Sequence, residues 1–384
     1  MICCTKRRPW ISKPGTTDEL MKPVGQPIQI NRLQLKNRFL RSATMEYLAD
    51  LEGLVTDDLL KLYYDLARGG SGLIVTGCAA VEADGRAWAH QLGVWDDRCL
   101  AGLRRLAAII RTYGDGCKSA VQLAHQGSSK TGYSYGAAEQ GYSLETVSEA
   151  ELKKTIRRFG EAAARVKEAG FDAVAVHGAH GYLLSEFLSP ATNPRRDRWG
   201  GSLRNRMRLT LEVYRAIRRQ VGDDFPILWK LNTADYLENG AGPEEYALVA
   251  GELARVGVDL IEMSGGLKDQ IRLRAQLKKE AGDREAYFSN ALPFFRKALN
   301  RTPLAITGGI RSLKAMEYLL TNGADLIGLC RPLICEPGLP RRLLSTPDHR
   351  TARCTSCNQC LLRIARQPVQ CVEFDPFQEI VKGL

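Results

Sequence analysis

Eight short apolar runs punctuate the chain and alternate with stretches of helical periodicity. The runs are RFLRSAT (38–44), GLIVTGCAAV (72–81), SAVQLAH (119–125), the segment from Phe171 to Val176, PILWKLN (226–232), VDLIEMSGG (258–266), PLAITGG (303–309) and ADLIGLCRP (324–332). Each reads as a strand buried on both faces, as parallel sheets require. Between them, helices are expected at 56–70 with Thr56 as N-cap, at 95–114, and at 148–170 behind Ser148 and Glu151. Further helices are expected at 206–221, at 242–257 with Pro243 in the first turn, at 287–300 interrupted by Pro293, and at 312–323. A Gly/Ser/Tyr-rich loop follows the third strand.

Strands alternating with helices over some 300 residues predict an α/β protein, a (β/α)8 TIM barrel. An open doubly wound sheet is the competitor. It loses because no G-x-G-x-x-G fingerprint follows any strand. The expected organisation is an N-terminal tail (1–25), the barrel (26–345) and a short cysteine-containing C-terminal extension (346–384).

The 384 residues are 44% hydrophobic and 25% charged, which suffices for a full core. No apolar run approaches the ~20 residues that span a bilayer. The first twenty residues carry basic groups but no apolar h-region, so a cytoplasmic protein is expected, with no membrane partner. A net charge of +11 raises nucleic-acid binding. With only 7% aromatics, and positives scattered among acids on helix faces, an anionic cofactor and substrate explain the charge better. A homo-oligomer is expected.

In a barrel, chemistry sits at the carboxyl ends of the strands. Those ends hold Ala43, Thr44 and Met45; Gly77 and Cys78; Gln122 and His125; His177, His180 and Tyr182; Lys230; Gly265 and Gly266; Gly308 and Gly309; Cys330 and Arg331. Two imidazoles and a phenol leaving one strand are a dense supply of donors. Gly308 and Gly309 beside Arg331 suit a phosphate held by backbone N–H groups. Lys230 ends an apolar strand and needs an electron-rich neighbour, either a ligand or a strand-end carboxylate. Gln122 offers both a donor and an acceptor, as recognition of a ring imide would need.

The motifs NRFLRSATM, GLIVTGCAAV, AVQLAHQG, VHGAHGYLLSEFLSPATNPRRDRWGGSLRNR, ITGG and LIGLCRP resemble, in order, those of the Old Yellow Enzyme family of FMN-dependent ene-reductases. The resemblance covers about residues 24–345. It implies FMN as cofactor and NAD(P)H as co-substrate, with ping-pong hydride transfer to the activated C=C bond of an α,β-unsaturated carbonyl compound. It implies that Ala43, Thr44, Met45, Cys78 and Gln122 line the flavin ring, with Lys230 beside N1 and O2. Backbone around Gly308, Gly309, Cys330 and Arg331 would hold the phosphate. His177 and His180 would bind the substrate oxygen, and Tyr182 would deliver the proton.

Eleven cysteines without a secretion signal argue for thiols or metal ligands rather than disulfides. Cys354, Cys357 and Cys360 stand at C-x2-C-x2-C, with Cys371 after ten intervening residues. The spacing suits a [4Fe–4S] iron–sulfur cluster, with zinc as second choice and free thiols as third. It resembles the motif of 2,4-dienoyl-CoA reductase and trimethylamine dehydrogenase, although the final gap is slightly shorter. An iron–sulfur flavoprotein of that type is therefore the alternative reading. A dihydrouridine-synthase-type barrel acting on tRNA would want a cysteine in the loop after strand three, and GSSKTGYSYGAAEQG has none.

Overall fold

The computed structural model describes residues 24–128, 143–267, 285–345, 351–363 and 367–374, together with 273 and 277. The N-terminal tail and most of the loop after the third barrel strand lie outside this set. Val24 does not behave as tail: it is buried, and its carbonyl accepts from the Arg38 amide at 2.8 Å.

A small antiparallel hairpin, β1 (Ile28–Ile30) and β2 (Leu33–Leu35), precedes the barrel. The barrel strands are β3 (Phe39–Arg41), β4 (Leu73–Ala80), β5 (Lys118–Ala124), β6 (Ala173–Gly178), β7 (Ile227–Asn232), β8 (Leu260–Ser264), β9 (Leu304–Thr307) and β10 (Leu326–Leu329). Each pairs in parallel with the next, and β10 returns to β3 through Leu329 opposite Arg41, closing the ring. The (β/α)8 barrel expected from the alternation is the observed fold. The hairpin was not foreseen, because three-residue strands carry too little periodicity to read.

Helix ends follow local chemistry. The Thr56 side chain accepts from the Leu59 amide, and Ser148 with Glu151 forms a complete capping box. Pro293 does not interrupt a helix. It sits in the first turn of Leu292–Leu299, where its missing N–H costs nothing, and residues 289–291 form a separate 3-10 turn. The stretch around 206–221 is likewise two pieces, Leu203–Arg206 and Arg208–Val221. Among the described residues no helix is long and apolar enough to cross a membrane.

Side chains two residues apart on a strand share a face. Leu40, Ala120, Ala175, Leu228, Leu260 and Ala305 form, with Ile30, Leu33 and Leu35 of the hairpin, one apolar cluster inside the barrel. The hairpin thus plugs the amino end. Two residues further along the same strands come Ser42, Gln122, His177, Lys230, Glu262 and Thr307, all buried. A polar storey therefore lies one pleat above the plug, towards the carboxyl mouth.

β4 reaches this storey by an irregularity. Val75 pairs with Ala120 but Cys78 with Gln122, so β4 spends one extra residue there. The bulge is wedged by a buried ion pair: Arg41 Nη2 lies 3.2 Å from Glu46 Oε1, which also accepts from the Gly77 amide at 2.6 Å and from the Tyr63 hydroxyl. Arg41 donates in addition to the Val75 carbonyl at 2.6 Å. A Cβ on Gly77 would stand 1.8 Å from Glu46 Oε2.

Gly77→Ala should therefore cost about 3 kcal/mol or more, since it wedges apart a buried ion pair. Gly116→Ala, where φ is +77° and nothing lies within 4 Å, should cost about 1–2 kcal/mol from backbone strain alone. Urea unfolding of the two variants checks the order, and a smaller loss at Gly77 would refute the wedge.

Candidate active site

β6 ends at Gly178, and the chain then turns sharply through His180 (φ +67°) and Gly181 (φ +78°). The glycine is required, because a Cβ there would meet the Leu267 carbonyl oxygen at 2.5 Å. The left-handed histidine is held from both sides. Its amide donates to Asn232 Oδ1 at 3.1 Å, and its Nε2 lies 2.7 Å from the Ser264 hydroxyl. Behind Asn232, Tyr246 donates to Asp235 at 2.6 Å, so the turn rests on a buried polar chain.

The turn brings three rings together. His177 and His180 have centroids 5.1 Å apart in an edge-on arrangement, and His177 and Tyr182 lie 4.6 Å apart. Trp88, from the loop after β4, donates its indole N–H towards the Tyr182 hydroxyl at 3.5 Å. Nothing in the local sequence singled out Trp88. Burial, and then the positive charge of Lys230, hold the His177 pKa well below its ordinary value, so the ring is neutral. Its Nδ1 accepts from the Ala179 amide at 3.4 Å, which assigns the proton to Nε2.

The floor of the mouth is the polar storey. Lys230 Nζ lies 3.1 Å from Glu262 Oε1 and donates to Ser42 Oγ at 2.8 Å. The strand-end carboxylate considered for Lys230 is thus present. Glu262 was missed, yet its signal was readable as one acid inside the apolar run VDLIEMSGG. Gln122 is buried and its Nε2 has no partner, the orphaned donor that a polar ring would satisfy. Cys78 faces Met45, sulfur to sulfur at 4.0 Å, and burial followed by Glu46 pushes its thiol up to about 12, keeping it protonated. Thr44 Oγ1 donates to the Ser42 carbonyl at 3.0 Å, and Ala43 packs against the inner apolar cluster.

At the β9 and β10 ends, Gly308 (φ +130°) and Gly309 (φ +69°) leave room for the Tyr287 and Phe288 rings to approach the backbone closely. Cys330 precedes the short helix Arg331–Cys335, with its sulfur 3.9 Å from the Ser42 carbonyl oxygen. The Arg331 side chain reaches towards the C-terminal extension. Its guanidinium donates to Asn358 Oδ1 and, at 2.6 Å, to the Tyr287 hydroxyl. It thus lines a second pocket with Cys354, Cys357, Cys360 and Cys371. Burial raises the pKa of Cys354, and that of Cys360 to about 11, while Arg331 pulls both down. Among the described residues no three His, Cys, Asp or Glu side chains stand as the ligands of a metal ion do.

A closed barrel with buried polar groups gathered at its carboxyl mouth is the architecture of a barrel enzyme. The sequence profile of the NADH:flavin oxidoreductase / NADH oxidase family matches residues 23–347, and the chain belongs to that family. This is the family to which the Old Yellow Enzyme resemblance pointed, with FMN as cofactor and NAD(P)H as electron donor. An NADPH dehydrogenase of Geobacillus sp. is 34% identical over 326 residues, covering 82% of this chain and 91% of that protein. An NADH oxidase of Thermoanaerobacter brockii is 31% identical over 343 residues, 86% of this chain and 52% of that one. The chain therefore spans about half the length of that relative. Among solved structures, a 2-naphthoyl-CoA reductase is similar with a TM-score of 0.81 and 26% identity, covering 92% of this chain and 57% of that one.

The buried neutral imidazole has a consequence for stability. Below the ordinary histidine pKa, near ~6.5, the unfolded chain binds a proton at residue 177 that the folded chain refuses. Stability should therefore fall as the pH drops from that point towards the lower folded value, by up to ~1.4 kcal/mol per pH unit. Urea unfolding at pH 7.5 and 5.5 checks this: His177→Asn should lose less stability on acidification than the unsubstituted protein. An equal loss in both would contradict the burial of a neutral ring.

Proposed function

We propose that the chain is an FMN-dependent NAD(P)H oxidoreductase that reduces the activated C=C bond of α,β-unsaturated carbonyl compounds by ping-pong hydride transfer. The observation that carries this reading is the cluster of a neutral His177 with His180 and Tyr182 around one turn at the barrel mouth. When bound, FMN supplies the hydride chemistry. Two points support its fit: the unpartnered Gln122 Nε2, and the Lys230 ammonium, which has three N–H donors and uses one on Ser42 and one on Glu262. Ala43, Thr44, Met45 and Cys78 would line the ring, and backbone around Gly308, Gly309, Cys330 and Arg331 would hold the phosphate.

Over that floor, His177 presents a neutral Nε2–H donor. His180 contacts the Ser264 hydroxyl through Nε2; with its proton on Nδ1 the ring would present a second donor. Two such donors on a carbonyl oxygen stabilise the negative charge that develops there when the β-carbon accepts hydride. Tyr182, as a phenol that keeps its proton at neutral pH, would serve as the acid for the neighbouring carbon. The indole of Trp88 donates to its hydroxyl oxygen.

Stopped-flow separation of the two half-reactions tests the assignment with cyclohexenone as oxidant. Tyr182→Phe should slow flavin reoxidation about 10²-fold or more while leaving reduction by NADPH nearly unchanged. Replacing both histidines by alanine should weaken phenol binding and enone turnover with flavin retained. Equal slowing of both half-reactions in Tyr182→Phe would contradict the role as acid.

One observation favours a second reading, an iron–sulfur flavoprotein: Cys354, Cys357, Cys360 and Cys371 line a single pocket. Zn–S bonds of about 2.3 Å would draw four sulfurs to within about 4 Å of each other. Among the described residues the side chains do not stand so, and either centre would need the thiolates to draw together. Protein purified without oxygen should then contain iron and acid-labile sulfide in equal amounts, lost in Cys357→Ala. Absence of both from intact protein would remove this reading.

A further inference from the structure

Lys230 and Glu262 are direct neighbours across the β7–β8 ladder, and their side chains are 3% and 7% exposed. A buried ammonium aimed at a cofactor does not need a carboxylate 3.1 Å away, and burying that second charge is costly. The carboxylate is nevertheless held with care. Glu262 Oε1 receives the Ser42 hydroxyl and, at 2.7 Å, the Thr307 hydroxyl in addition to the Lys230 contact. Ser42 closes the triangle by accepting from Lys230 at 2.8 Å. Three strands, β7, β8 and β9, and the residue that follows β3 thus contribute one group each to a caged ion pair. The cage sits on the same storey as Gln122 and His177, and His177 is the register partner of Lys230 on the other side.

We propose that Glu262 is a positioning residue for the flavin site, one that holds the Lys230 ammonium in place and offsets its charge, so that the bound flavin has a lower reduction potential than a lone cation would set. The inference rests on the proposed placement of Lys230 beside the flavin ring. Its physics is simple. Transfer of hydride from NAD(P)H leaves NAD(P)+ and adds one hydrogen, two electrons and one net negative charge to the ring. A lone buried cation beside the ring stabilises that charge strongly, while a cation already paired stabilises it less. The cage therefore keeps the reduced ring a stronger hydride donor to an enone. It also spares the fold an unpaired buried ammonium when no cofactor is present.

The test is the midpoint potential and FMN dissociation constant of the holoprotein and four variants. Glu262→Gln removes the charge and keeps the shape. It should raise the reduced-to-oxidised flavin ratio at a fixed applied potential about tenfold, which is about 30 mV for a two-electron couple. Lys230→Met should lower the potential. The double variant, with both charges gone, should return close to the unsubstituted value. Glu262→Asp, which draws the carboxylate back from Lys230, should give a smaller rise in the same direction, and it decides the matter if Glu262→Gln fails to fold. An unchanged or lowered potential in the glutamate variants, with Lys230→Met still shifted, overturns the role of Glu262 and leaves the placement of Lys230 standing. If neither position moves the potential while FMN stays bound, Lys230 does not face the ring, and both conclusions fall.

Discussion

The two-residue repeat of an extended strand is the constraint on which this molecule depends. In a closed barrel, every inward side chain is followed two residues later by another inward side chain, one storey higher. Leu228 in the plug obliges Lys230 to face the mouth; Leu260 does the same for Glu262, Ala175 for His177 and Ala120 for Gln122. The apolar hairpin below and the polar storey above are thus one pattern. A barrel packed tightly at its amino end by Ile30, Leu33 and Leu35 presents its polar groups at fixed height and angle, as a site needs.

Only β4 breaks the rhythm, and the break has a dedicated support. The extra residue between Val75 and Cys78 would cost ladder bonds without compensation. Glu46 and Tyr63 supply that compensation by accepting from the Gly77 amide, and Arg41 by donating to the Val75 carbonyl and pairing with Glu46. The same Glu46 offers its backbone carbonyl to the Val369 amide at 2.9 Å. One short segment after β3 therefore ties the barrel mouth to the cysteine-bearing extension. Arg331 makes a second tie, reaching from β10 to Asn358 within the cysteine pocket.

Much of this was legible beforehand. Apolar runs and capping residues such as Thr56, Ser148 and Glu151 mark the strands and helix starts, because those signals are local. His177, His180 and Tyr182 stood out for the same reason: they crowd one strand end. Pro293 was misjudged because a proline inside an apolar periodic stretch reads as a break, whereas the helix simply starts later. The side-chain partners of Arg331 could not be read. A basic residue after the last strand suits a phosphate, but the partners that claim its side chain, Tyr287 and Asn358, are 44 and 27 residues away.

The sequence by itself determined the class of fold, the strand ends and the residue types gathered there, since periodicity and punctuation are properties of neighbours along the chain. It also marked Lys230 as a cation in need of company. Tertiary structure alone decided which company: Glu262 is 32 residues from Lys230, and Ser42 is 188. Barrel closure, strand register and one bulge bring those groups to a single point. These depend on how eight strands pack around a common axis, and no window of sequence contains that information.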